Sequence, residues 1–218
     1  MAKREGVVSL PRDASRISAY WSRSSEWSGQ LAAHLLGAVL FTALSVLGAR
    51  AAFWLPFSPV PVTLQVLAVV LAGLVLGPRW GALSLGQYLL LGLSGWPVFA
   101  AAQPGPAALL SPTAGYLLGF IAGAYVAGLA GERWAGRSWP GALASGLAGV
   151  AAIYICGVFW LAVCMASSSA LPPGESLWRA FLVGVVPFAP LDAAKAALAA
   201  SVWRGGRLCL GLLLPSNS

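Results

Sequence analysis

The chain has 218 residues, with 13 Lys+Arg against 6 Asp+Glu for a formal net charge of +7. Hydrophobic residues make up 59% of it and charged residues only 9%, whereas a soluble domain carries about 25% charged residues. So little charge cannot cover a globular surface, which excludes a soluble enzyme, a disordered chain and, despite the positive balance, a nucleic-acid binder.

An all-α integral membrane protein is expected instead, and it takes shape in chain order. The N-terminus is polar up to Gln30, without the early apolar core of a cleavable signal. Within it, Ala14–Gly29 mixes Ile17, Tyr20, Trp21 and Trp27 with Arg16 and Arg23. That mixture suits a helix lying on an anionic cytoplasmic leaflet, and equally a poorly ordered tail. Six apolar stretches follow: Leu31–Ala49, Val62–Gly77, Trp80–Leu93, Thr113–Ala130, Pro140–Ala166 and Leu177–Trp203. A spanning helix needs about 20 residues. The second and third stretches are short around a tight turn at Gly77-Pro78-Arg79, so one enters part-way or both tilt. The expected organisation is a cytoplasmic tail (1–30), a six-helix membrane domain (31–204) and a second cytoplasmic tail (205–218).

Basic residues set the orientation. Lys3, Arg4, Arg12, Arg16, Arg23, Arg79, Arg133, Arg137, Arg204 and Arg207 fall on one side, and only Arg50 and Arg179 on the other. Both termini are therefore expected in the cytoplasm, in a multi-pass protein of the cell membrane. Small residues four apart mark helix contact faces inside one bundle: Gly73 and Gly77, Gly115, Gly119 and Gly123, Ser145 and Gly149. Cys156, Cys164 and Cys209 form no CxxC pair and read as small apolar fillers.

The same topology puts three irregular segments outside: Phe53–Gln65, Ser94–Tyr116 and Ser167–Ser176. They are rich in Pro and aromatic residues, hence stiff, and suited to close over a small molecule. Interfacial anchoring explains some of these aromatics, Trp54 among them. It does not explain Thr63, Gln65 and Tyr88 inside or just beneath the loops.

Asp192 and Lys195 are the sharpest signal. They stand at i and i+3 in an otherwise uncharged span, and each ionisable group there costs about 2.5–3.5 kcal/mol. The pair is either a structural brace for the bundle or the polar floor of a ligand cavity. Gly92-Leu93-Ser94-Gly95 matches the GxSG string of intramembrane serine proteases, but the chain's one His, His34, lies in the first span at the other membrane face and cannot activate Ser94. No Walker string is present to cradle ATP, and six carboxylates in all give no support for a metal cluster.

A set of strings then falls in a familiar order: Pro59-Val60-Pro61-Val62-Thr63-Leu64-Gln65, Leu71–Ala82, Tyr88–Gly92, Pro97-Val98-Phe99-Ala100 and Pro112–Phe120. From about Leu31 to Trp203 the chain resembles the BioY family, the biotin-binding substrate component of energy-coupling factor (ECF) transporters. The resemblance implies a six-helix bundle with no cofactor of its own. It would capture biotin from outside and dock on a transmembrane coupling protein driven by two ATPases. The family's Asp and Lys near the end of the last helix match Asp192 and Lys195, and its docking face on the first helix maps onto Ala38, Thr42 and Ala43. Gln65, Thr63, Tyr88 and Tyr116 are the further polar ligand candidates, and Trp96, Phe99 and Trp160 the candidate ring walls. Two strings depart from the family pattern, Ala101–Pro106 and Ser111–Tyr116, and both stiffen the loop between the third and fourth spans. A sister component for thiamin or riboflavin, or a membrane enzyme, are the competing readings. Homo-oligomerisation is left open.

Overall fold

The computed structural model describes residues 12–100, 104–135, 138–169 and 172–213, with side chains over 29–100, 104–135, 138–168 and 172–209. Two compact units divide the chain, residues 1–36 and 37–218. In the first, helix α1 (Arg12–Arg50) begins, so the stretch expected at the membrane surface is helical. Its side chains lie outside the described residues. His34 bonds through Nδ1 to the Gln30 carbonyl at 2.7 Å, one helical turn back.

The second unit holds the rest of α1 and five further helical elements. Helices α2 (Gln65–Leu93), α3 (Ala114–Ala130) and α4 (Trp139–Ser169) are followed by α5 (Pro173–Gly184) and α6 (Ala189–Leu213). Among the described residues, four helices are long and apolar enough to cross a membrane, and α5 with α6 qualifies together as a bent pair.

Continuous numbering hides a hairpin in α2. Gly77 leaves the helix with φ 79° and ψ 179°, a left-handed backbone that glycine tolerates best, and Pro78 opens the second arm without needing its missing N–H. The chain then doubles back. Gln65 Nε2 donates to the Tyr88 hydroxyl at 2.7 Å, and a Cβ on Gly81 would come within 3.0 Å of the Ala72 carbonyl oxygen. The expected pair of short spans is thus two antiparallel arms, residues 65–76 and 78–93, of about 18 and 24 Å at about 1.5 Å per residue. Their tip rests on α3, where a Cβ on Gly128 would lie 2.6 Å from the Gly77 carbonyl carbon.

Small residues let the helices approach, as expected. A Cβ on Gly119 would lie 2.9 Å from the Ile153 carbonyl oxygen, and one on Gly123 3.0 Å from that of Gly149. Gly73 packs on Ala124 and Gly128 in the same way. The stripe is an internal seam between α2, α3 and α4, where no hydrophobic drive from water exists and close contact must supply the attraction. The cysteines are unbridged.

Three expectations change. The last span, read as a single Leu177–Trp203 helix, is broken: α5 and α6 meet at 54° across residues 185–188. Pro187 lies in the break and Pro190 in the first turn of α6, where a missing N–H does little harm. The segment Ser167–Ser176, read as irregular, is largely helical, with α4 running to Ser169 and α5 starting at Pro173. The first loop contains a short antiparallel pair, β1 (Phe53–Trp54) and β2 (Pro61–Val62), with Phe53 opposite Val62. The second loop carries a single 3-10 turn, Pro106–Leu110.

Candidate functional site

At the end of the bundle that carries these two loops, helices α2, α3, α4 and α6 and the α5–α6 break enclose a cavity. It holds about 760 Å³ of space that no atom fills, open mouth included. Two sets of polar residues line it, from different parts of the chain. Asp192, Lys195 and Tyr154 form one, on α6 and α4; Thr63, Gln65, Ser111 and Thr113 form the other, on the two loops and the first residue of α2. Phe99, Phe120, Ile153 and Phe188 supply apolar wall.

The ion pair comes from the first two turns of α6. Asp192 is 3% exposed, and its Oδ1 accepts from Lys195 Nζ at 2.6 Å. Its Oδ2 accepts from the Tyr154 hydroxyl of α4 at 2.6 Å. Bonds to an ionised acceptor are roughly twice as strong as neutral ones, and these two compensate for taking the carboxylate out of water. Among the described residues, no buried side-chain nitrogen or oxygen lacks a hydrogen-bond partner.

Of the predicted binding residues, Asp192, Lys195, Gln65, Thr63, Tyr116 and Phe99 all line the cavity. Tyr116 also donates its hydroxyl to the Gly184 carbonyl at 2.9 Å. That bond ties α3 to the last residue of α5, whose carbonyl the helix break leaves open. Ser58 does the same for the Val183 carbonyl at 2.8 Å, joining the first loop to α5.

The other three stand elsewhere. Tyr88 is fully buried behind Gln65, receiving its amide N–H and packing edge-on against Phe99 with ring centroids 5.5 Å apart. Trp160 donates its indole N–H to the Ser111 carbonyl at 2.9 Å and so props the wall from outside the cavity. Trp96 is 61% exposed and lines nothing there. Of the residues mapped to docking, Ala38 is buried. Thr42 turns inward, its hydroxyl within 2.8 Å of the Ser84 carbonyl and 3.2 Å of Gln87 Oε1. Ala43 alone of the three is exposed. The serine of the GxSG string is exposed at the end of α2: Ser94 Oγ donates to the Leu91 carbonyl at 2.7 Å.

Sequence reasoning missed Tyr154, Ser111 and Thr113. A usable signal existed for the first, since a tyrosine halfway along an apolar span is too deep for an interfacial anchor.

Similarity to known proteins agrees with this geometry. Residues 20–210 match the BioY family. A biotin transporter of that name from Thermotoga maritima is 43% identical over 170 residues, covering 77% of this chain and 92% of its own. Its counterpart from Rhodobacter capsulatus is 40% identical over 175 residues, covering 76% and 88%. Among solved structures, the crystal structure of the S-component for biotin from an ECF-type ABC transporter superposes with a TM-score of 0.69 at 28% identity. The match spans 82% of this chain and 93% of that one. With so much of its length matched, the chain belongs to the BioY family.

Proposed function

We propose that this protein captures biotin from outside the cell as the substrate-binding component of an ATP-driven ECF vitamin transporter, and that it is not itself an enzyme. The observation that carries the reading is the buried Asp192–Lys195 pair lining a mostly apolar cavity in a member of the BioY family.

The chemistry of biotin suits that cavity. Its cyclic urea offers two N–H donors and one oxygen, its thioether ring is apolar, and its tail ends in a carboxylate. Asp192 is an acceptor for urea N–H, and Lys195 a donor to the urea oxygen. Phe99, Phe120 and Phe188 fit the ring, and the hydroxyls of Ser111 and Thr113, which also line the cavity, are donors for the tail carboxylate. Charged partners discriminate strongly because a ligand without the matching groups leaves them desolvated and unpaired.

In this reading the two stiff loops face the outside and both termini face the cytoplasm, consistent with the ten-to-two basic asymmetry of the breaks. ATP is hydrolysed by separate subunits that act through a transmembrane coupling protein. Six crossings fit the architecture when the two α2 arms count separately and α5–α6 counts as one. The experiment is mass spectrometry of the small molecule released by heat from protein purified without added vitamin. Biotin at near-equimolar amount is expected; thiamin, riboflavin or another compound in its place would refute the proposal.

A further inference from the structure

The α4 wall of the cavity contains a polar group far from either helix end. Tyr154 is the central residue of α4, which spans Trp139–Ser169. An aromatic anchor would sit near a helix end, at headgroup level. Tyr154 instead lines the cavity and aims its hydroxyl at Asp192 Oδ2, 2.6 Å away. Lys195 holds the other oxygen, also at 2.6 Å, from the same helix as Asp192. Among the described residues, Tyr154 is therefore the side chain that ties the ion pair to a second helix.

Asp192 with Lys195 alone would have an undetermined carboxylate plane, because a flexible ammonium follows the carboxylate as it rotates. A second donor, fixed to a different helix, removes that freedom. A carboxylate has about four lone-pair sites. With one on each oxygen occupied by protein, one on each remains for a ligand, in a direction set by the two donors. Building this orientation in advance lowers what a ligand must spend in ordering the site.

We propose that Tyr154 is the positioning residue of the urea subsite: it locks the Asp192 carboxylate so that its free lone pairs meet the N–H donors of a cyclic urea. This rests on the biotin reading above and extends it to a residue on α4 acting through Asp192. The ligand class selected is one whose inner end donates N–H. A sulfur-ring acid of similar shape without the urea leaves the locked carboxylate unsatisfied and is rejected.

The test is a double-mutant cycle on the purified full chain. Biotin dissociation constants are measured calorimetrically for the wild type, Tyr154→Phe, Asp192→Asn and the double variant. Ligand is taken to millimolar so that weakened variants stay on scale, and ligand-free melting temperatures are recorded for each. Tyr154→Phe is expected to weaken biotin at least about tenfold in the native background, since the bond it deletes is charge-assisted. It is expected to matter less than about twofold once Asp192 is Asn, because the two residues act as one unit. Unchanged affinity in Tyr154→Phe overturns the proposal. So does an equal loss in both backgrounds, which would mark ordinary packing. A neutral Asp192→Asn refutes the polar floor for biotin itself, whereas a weakened Asp192→Asn beside a neutral Tyr154→Phe refutes the positioning role alone.

Discussion

Replacing Asp192 by Asn and Lys195 by Met perturbs the site in opposite senses with almost no change in volume, and the structure gives each variant a magnitude. Asp192 is 3% exposed, and the Lys195 side chain is 11% exposed, so neither charge can turn to water when its partner is removed. A hydrogen bond to a charged group contributes about 1.5–3 kcal/mol, and about 1.4 kcal/mol is a factor of ten. Each variant should therefore bind biotin about 10- to 150-fold more weakly. Stability should fall as well, because breaking a buried pair from one side costs about 3–5 kcal/mol. We expect the lower end for Asp192→Asn, whose amide oxygen can still accept from Lys195. The double variant should recover much of the lost stability and none of the affinity, since it has no unpaired charge and no charged partner for the urea. Tryptophan fluorescence titration in detergent gives the affinities, and thermal unfolding gives the stabilities. Affinity within about threefold of wild type in both single variants would refute the reasoning; a double variant no more stable than the singles would refute its electrostatic part.

Phe99 and Trp96 separate wall from surface: Phe99→Ala should weaken biotin at least about tenfold by removing a buried ring, while Trp96→Ala should change it less than about twofold, both by the same titration. At the α2–α3 seam, Gly73→Leu should abolish recovery of folded protein in gel filtration, since a Cβ there would already lie 2.9 Å from the Gly128 amide nitrogen. Orientation is checked by thiol labelling of intact cells in a cysteine-free background. Gly174→Cys should react with an impermeant maleimide and Ser138→Cys should resist it; the reverse pattern would invert the topology.

What the sequence made visible follows from which signals survive in an apolar chain. Charge is so rare that Asp192 and Lys195 stand out, and Gly77-Pro78 announces the α2 turn by combining a left-handed glycine with a missing donor, as Gly105-Pro106 does before the 3-10 turn. The glycines at every fourth position of α3 reported their contact with α4 for the same reason. The helix break before α6 was hidden, because Val185-Val186-Pro187-Phe188 is as apolar as its flanks and hydropathy does not register direction. Rotation about a helix axis was equally opaque. Ala38 and Thr42 turn into the bundle and Ala43 away from it, a distinction that needs a polar face or a strong moment to read in advance, and α1 has neither across that stretch. Loop aromatics carried no depth information either: Trp96 and Phe99 stand three residues apart in one string, one exposed and one within the cavity wall. Tyr154 was missed because its partner is 38 residues away, on a helix whose packing no local pattern specifies.

The central claim is that the buried carboxylate and ammonium of α6 receive the urea of biotin. A crystal structure of the protein with biotin tests it most directly. The account predicts the urea ring within hydrogen-bond distance of Asp192 and Lys195, with the thioether ring among Phe99, Phe120 and Phe188. Biotin lodged in a different part of the molecule, or bound in this cavity with its tail carboxylate on Lys195 and its urea toward Ser111, would contradict it.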